Sequence, residues 1–191
     1  MIDLGTVAWP PLPISTERLV LRASEARDRA AFVELLVSPE VNTYLGGARV
    51  RADVEREMPE IPGQYPGGFV VERDGAMIGQ VQLRRAADDH RPAARGKADL
   101  GYLFLPTAWG QGYAFEACAA ALGWFDAAFP GEPVVLATQT ANLGSMRLAA
   151  KLGFVEVERF HAWDAEQWLG ERREARARSG LFPSGVRRSG T

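Results

Sequence analysis

The sequence contains one cysteine, Cys118, and two histidines, His90 and His161, in 191 residues. A single thiol cannot close an internal disulfide, and two isolated histidines form no metal-ligand cluster at any recognised spacing. No apolar run approaches the roughly 18 residues that a membrane span requires. Residues 1–13 have no basic segment followed by an apolar one, so nothing there reads as an export signal. Charge of one sign is also lacking. The 22 Lys and Arg against 24 Asp and Glu leave a net charge of -2, so wholesale attraction to nucleic acid is not implied. No internal repeat is present, and no low-complexity block precedes the end that carries Arg172, Arg173, Arg176, Arg178, Arg187 and Arg188. These absences predict a cytoplasmic, metal-free protein with no membrane or nucleic-acid partner, ending in a solvated, flexible tail over 176–191.

What is present is an ordinary globular composition, 47% hydrophobic and 24% charged, in a chain long enough for one domain with a sizeable core. Pro10, Pro11 and Pro13 predict an extended lead-in over 1–13, so the domain is expected to span 14–175. Residues 18–22 alternate charged and aliphatic side chains, as a half-buried strand does. Ser24 is suited to cap a helix with Phe32, Leu35 and Leu36 on one face, which Pro39 ends. A second helical stretch is read at 51–58. Strand-like runs at 69–73 and 77–83 flank Asp74-Gly75, a dipeptide that tolerates the positive dihedrals of a tight hairpin. Residues 86–97, arginine-rich and broken by Pro92, read as a long loop before a strand at 100–105. From Gln111, the apolar positions Ala114, Ala117, Cys118, Ala121, Leu122 and Phe125 recur every three or four residues, the pattern of a helix with one buried face. A strand at 133–137, a helix at 143–152 closed by Gly153, and a strand at 154–160 complete the pattern. The order predicts an α+β fold, a mixed and mostly antiparallel sheet with helices on both faces.

One turn invites a chemical reading. A strand running through Pro106 into Gly110-Gln111-Gly112 and straight into a helix presents unpaired N–H groups at the positive end of the helix dipole. Two glycines let several amides converge on one anion, although glycines beside a helix start also serve as plain turn residues. A nucleoside-triphosphate loop needs lysine and a hydroxyl residue after its last glycine, where this chain has Tyr113 and Ala114. A dinucleotide fingerprint needs a third glycine or alanine, and Phe115 stands there.

Four segments taken together resemble the GNAT superfamily of N-acetyltransferases, and within it the RimJ/RimL branch. They are Thr16-Glu17-Arg18-Leu19-Val20-Leu21-Arg22, Asp99-Leu100-Gly101-Tyr102 with Pro106, Trp109-Gly110-Gln111-Gly112-Tyr113-Ala114, and the stretch from Asn142 through Ser145, Lys151, Leu152 and Gly153 to Phe154. The resemblance covers about residues 14–160. It implies the acyl-coenzyme A N-acyltransferase fold, whose sheet splays open, with acetyl-coenzyme A as co-substrate. The pantetheine arm is then expected along the backbone of Tyr102, Leu103 and Phe104, and the pyrophosphate on the amides of Gly110, Gln111, Gly112, Tyr113 and Ala114. Trp109 stands where the wider superfamily has Gln or Arg, as is usual in the branch. Asn142 matches a coenzyme-facing position and is equally explained as a helix cap. Ser145 matches a serine proposed to reach the leaving thiolate. The superfamily's usual tyrosine donor is replaced here by Ala149. Asp99 stands where the branch has glutamate, and bases elsewhere in the superfamily fall at the position of Ala98. Ser145 and Asp99 are therefore the catalytic candidates, and Cys118 reads as a core residue.

The activity implied is transfer of acetyl to a primary amine by direct attack in a ternary complex. An α-amine with a pKa of about 7.8 is neutral about one time in seven at pH 7, whereas a lysine near 10.4 costs roughly 4.6 kcal/mol to deprotonate. A site with few acids and bases suits the former, so a peptide N-terminus or a small low-pKa amine is the expected acceptor. Glu40, Asn42, Tyr44, His90, His161 and Trp163 are expected near it, and a homodimer is one assembly the chain could form. Two rivals share the fold: a coenzyme-binding sensor that has lost catalysis, and an antibiotic-modifying enzyme.

Overall fold

The computed structural model describes residue 4 and residues 7–85 and 92–173. Its strands are β1 (Ile14–Ser15), β2 (Val20–Arg22), β3 (Gly68–Arg73), β4 (Ala76–Arg85), β5 (Ala98–Phe104), β6 (Val134–Gln139), β7 (Val155–Ala162) and β8 (Ala165–Arg172). Its helices are α1 (Arg29–Val37), α2 (Arg51–Glu57), α3 (Tyr113–Ala128) and α4 (Leu143–Lys151). The strands form one sheet in the order β1-β2-β3-β4-β5-β6-β8-β7, and only β5 and β6 pair in parallel.

Alternation along each strand sends neighbouring side chains to opposite faces. Phe69 and Val71 of β3 join Leu100 and Phe104 of β5 and Val134 and Leu136 of β6 in a core closed by α3 and α4. The α3 residues in it, among them Ala117, Cys118, Ala121, Leu122 and Phe125, are the ones whose spacing predicts the helix. Full burial of each large apolar side chain there contributes roughly 1.5–3 kcal/mol. Val70 faces the other way, where it meets Phe32 and Leu35 of α1. Helices thus cover both faces, as the sequence pattern predicts. Among the described residues no helix is long and apolar enough to cross a membrane.

The seam between β5 and β6 is short. The register holds only at Ala98↔Val134 and Asp99↔Val135, whereas β4 follows β5 along its whole length, from Arg85↔Ala98 to Gly79↔Phe104. Beyond Asp99 the two strands diverge, which is the splay that the resemblance implies. The closed end of the seam is stitched by Lys97, whose ammonium pairs with Glu171 of β8.

Several expectations need correction. Ser24 does not cap α1; its hydroxyl donates to the Pro62 carbonyl, and Glu25 caps a 3-10 turn at Ala26–Asp28 that leads into the helix. That turn is fixed because the buried Asp28 accepts from Glu25 N at 2.8 Å and from both terminal nitrogens of Arg22 at 2.7 and 2.8 Å. The lead-in is not external to the core. Leu4 is 2% exposed, and Trp9 lies edge-on to Phe69 and Trp124. β8 has no counterpart in the sequence reading, and Arg172, placed there in the solvated arginine-rich end, forms a two-pronged pair with Asp126 of α3 at 3.0 and 2.7 Å. α3 begins at Tyr113 rather than Gln111. His90, most of the predicted loop at 86–97, and the tail at 176–191 lie outside the described residues.

Candidate functional site

The open end of the seam exposes one side of β5. In an antiparallel ladder, alternate residues direct their N–H and C=O groups toward one neighbour and the rest direct them away. Leu105 N donates to Ile78 O at 2.9 Å, which assigns Leu105, and with it Leu103, to the β4 side. Tyr102 and Phe104 therefore turn their backbone groups into the gap. Leu103 does not, so its expected backbone contact with a ligand in the gap fails. Phe104 O also accepts from Trp109 Nε1 at 2.8 Å, which agrees with its orientation away from β4. Gly79 lets the Phe104 ring lie against β4, because a Cβ there would come within 2.6 Å of Phe104 Cδ1 and of Leu103 O. The result is an exposed strand side onto which an extended, amide-bearing chain can pair.

The chain leaves β5 through a 3-10 turn at Pro106–Ala108 and reaches Gly110 and Gly112, with φ of 73° and 81°. Gly112 is the N-cap of α3 in the left-handed region, where a side chain is strained. The first helical bond runs from Glu116 N to Gly112 O at 3.2 Å. The amides of Tyr113, Ala114 and Phe115 accordingly have no intrahelical acceptor, and they converge at the positive end of a 16-residue helix. Sequence reasoning missed the cations that flank this turn. Arg18 Nη1 donates to Gln111 O at 3.0 Å, and the guanidinium groups of Arg18 and Arg73 lie 4.7 and 4.9 Å from the Tyr113 ring centre. Glu116 holds Arg18 in place through contacts of 2.7 Å to Nε and 2.9 Å to its backbone N–H. Partial burial opposes charge on that carboxyl, but hydrogen bonds from Thr16 and Arg18 win and hold it below its ordinary range. The turn thus gathers three acceptor-free amides and two guanidinium groups, that of Arg18 paired with Glu116.

On the far side of the gap, Asn142 caps α4, its Oδ1 accepting from Ser145 N at 3.0 Å. Ser145 Oγ lies 2.6 Å from the hydroxyl of Tyr102. This contact joins residues 43 positions apart and has no local signature in the sequence. Burial pushes the Tyr102 phenol up to about 12, with the Ser145 hydrogen bond acting against it. Asp99 does not join this group. It pairs with Arg84 and Val135 at the closed end of the seam, and its place in the alternation puts it on the sheet face opposite Tyr102. Cys118 is fully buried, and burial pushes its thiol well above its ordinary range.

The residues expected around an acceptor are scattered. Asn42 is 5% exposed and donates to the carbonyls of Leu35 and Ser38, a structural role that removes it from the surface. Gln139 of β6 donates to Tyr44 O at 3.2 Å and ties that loop to the far half of the sheet. Glu40 is exposed and accepts from Ser38, while His161 and Trp163 lie at the β7–β8 hairpin. A surface cleft of about 510 Å³ adjoins the glycine turn and shares Arg18 and Arg73 with it; Thr16 and Glu72 also line it, and it includes no residue of β5 or α4. Among the described residues, no group of three or more His, Cys, Asp or Glu could hold a metal ion.

This geometry has relatives. The YkkB protein of Bacillus subtilis (strain 168) is 28% identical over 167 residues, covering 83% of this chain and 94% of its own. The crystal structure of a GNAT-family acetyltransferase from Bacillus anthracis has a TM-score of 0.68 at 20% identity, over 85% of this chain and 98% of that one. The aminoglycoside acetyltransferase AAC(6')-Ib, solved in complex with coenzyme A, has a TM-score of 0.62 at 18% identity, over 82% and 95%. At these identities the two structures speak for the fold alone. The family model of the acetyltransferase (GNAT) domain matches residues 18–155, which takes in the seam, the glycine turn and the whole of α4, and this chain belongs to that family of acetyltransferases.

Proposed function

We propose that this chain transfers an acetyl group from acetyl-coenzyme A to a primary amine, by direct attack within a ternary complex, and that a peptide N-terminal α-amine is its preferred acceptor, as the RimJ/RimL-like segments suggest. The observation that carries this reading is the pairing of a strand side left open at Tyr102 and Phe104 with the acceptor-free amides of Tyr113, Ala114 and Phe115 at the start of α3. Acetyl-coenzyme A supplies the acetyl group activated as a thioester. Tyr102 and Phe104 hold the amide-bearing arm, the α3 amides with Arg18 hold the diphosphate, and Trp109 keeps the Phe104 rung in place. Asn142 fixes the first turn of α4, which aims Ser145 at the departing sulfur. Asp99, on the opposite face, serves the amine side, so proton acceptance and thiolate stabilisation are separated by the sheet. Direct transfer is favoured because Cys118, the chain's only thiol, is sealed inside the core.

The test is thiol release from acetyl-coenzyme A with N-terminal peptides, polyamines, aminoglycosides and a lysine ε-amine whose α-amine is blocked, across pH. α-Amines should turn over fastest near neutrality, and faster lysine or aminoglycoside turnover there overturns the acceptor assignment. Gly112→Glu puts a Cβ into a left-handed position and a carboxylate beside the anion seat, and should abolish coenzyme binding in calorimetry. Unchanged affinity would overturn the diphosphate assignment.

A further inference from the structure

We propose that Tyr102 is a positioning residue for Ser145: its phenolic O–H donates to Ser145 Oγ and thereby turns the serine's own proton into the gap. The proposal rests on the acetyl-transfer reading above and adds a residue to it. Two hydroxyls 2.6 Å apart share one proton in their bond, and either could be the donor. Among the described residues, Ser145 is the only hydrogen-bond partner of the Tyr102 hydroxyl. Tyr102 is half-buried, and with no second protein acceptor for its hydroxyl among the described residues, its proton goes to Ser145 Oγ.

The serine is differently placed. Its backbone N–H is held by Asn142, but its hydroxyl can rotate and has one donor and two lone pairs. A serine in a helix otherwise tends to donate back to a carbonyl one turn earlier, which hides its proton. The Tyr102 bond draws Oγ toward β5 instead, occupies one lone pair, and leaves the O–H to point at whatever lies between β5 and α4. Burial keeps the phenol protonated through the neutral range, so Tyr102 remains a donor throughout. In the transfer, the thioester C–S bond breaks and an amide C–N bond forms. The proton that the amine nitrogen gives up balances the one the thiol gains. Ser145 donates a hydrogen bond to the departing sulfur, and Tyr102 neither gains nor loses a proton.

Tyr102→Phe keeps the ring and removes the hydroxyl. It should lower kcat about 5- to 10-fold, the effect of one lost hydrogen bond, with KM for acetyl-coenzyme A unchanged within about twofold. The double variant Tyr102→Phe with Ser145→Ala should be no slower than Ser145→Ala alone, because the tyrosine acts only through the serine. Wild-type kcat in Tyr102→Phe, or losses that multiply in the double variant, overturns the proposal while leaving the acetyl-transfer reading intact. A wild type that binds the coenzyme and releases thiol with no amine overturns both. Should Tyr102→Phe fold poorly, a fluorinated tyrosine at 102, whose phenol is more acidic, gives a second measurement. Its kcat should fall with rising pH at a lower pH than wild type, as the phenol loses the proton it donates, and an unmoved profile overturns the proposal.

Discussion

The two halves of the sheet are held in different ways. From β1 to β5 the strands are antiparallel neighbours, braced at one end by the buried Arg22, which pairs with Asp28 and with Glu72. The other half, β6-β8-β7, is a smaller antiparallel set attached to the first by two rungs, by Lys97–Glu171 and by Arg172–Asp126. These links gather at or near the closed end, whereas Gln139, at the other end of β6, bonds to Tyr44 O. The start of α3 belongs to the first half, since Arg18 and Glu116 lash it to the β1–β2 edge, and Ser145 belongs to the second. The Tyr102–Ser145 bond crosses the open end between these two halves.

That contrast can be broken at three places. The largest effect is expected from Asp28→Asn, which leaves the 8%-exposed Arg22 short of a carboxylate and should destabilise the protein by about 3–5 kcal/mol in urea unfolding. Burial disfavours the Asp28 charge, but Arg22 and the Glu25 N–H outweigh it and hold the carboxyl below its ordinary range. A depressed folded pKa means the contribution is present above the unfolded carboxylate pKa and lost as pH falls through the folded one. The stability gap between wild type and variant should therefore close below about pH 4. A smaller loss, about 1–2 kcal/mol, is expected from Glu171→Gln, because the pair with Lys97 is partly solvated. Its sharper signature is faster amide exchange at the β5–β6 rungs, with the β3–β4 rungs unaffected. The smallest effect is a gain: Asp164→Gly, at φ 57° in the β7–β8 turn, should raise stability by about 0.5 kcal/mol, seen as a higher Tm.

The same contrast explains what the sequence revealed. α3 was legible because its six apolar positions face one core, and the β3–β4 hairpin because Asp74 and Gly75 both take positive φ, 51° and 80°. The β7–β8 turn adopts the same kind of conformation with Trp163 and Asp164, where no glycine follows the aspartate to mark it, and β8 is rich in Glu, Gln, Leu and Arg, residues that favour helices when isolated. Its strand character comes from pairing with β6 and β7 on either side, which local pattern does not carry. The glycine turn was legible because Gly110 and Gly112 take positive φ, 73° and 81°, directly ahead of a helix start. Arg18, Arg73 and the Tyr102 hydroxyl were not, because their relevance depends on which strands lie beside α3 and α4. Asn42 misled for the opposite reason: a polar side chain in a loop suggests a ligand contact, and here it satisfies buried carbonyls.

Trp9 packs within a three-ring cluster, its indole 6.0 Å from that of Trp124 and inclined at 78°, with Phe69 5.1 Å from each. Two indoles at that separation are coupled chromophores, so the segment ahead of β1 carries its own optical reporter. Release of Trp9 from Phe69 and Trp124 should therefore change the near-ultraviolet dichroism without any added label.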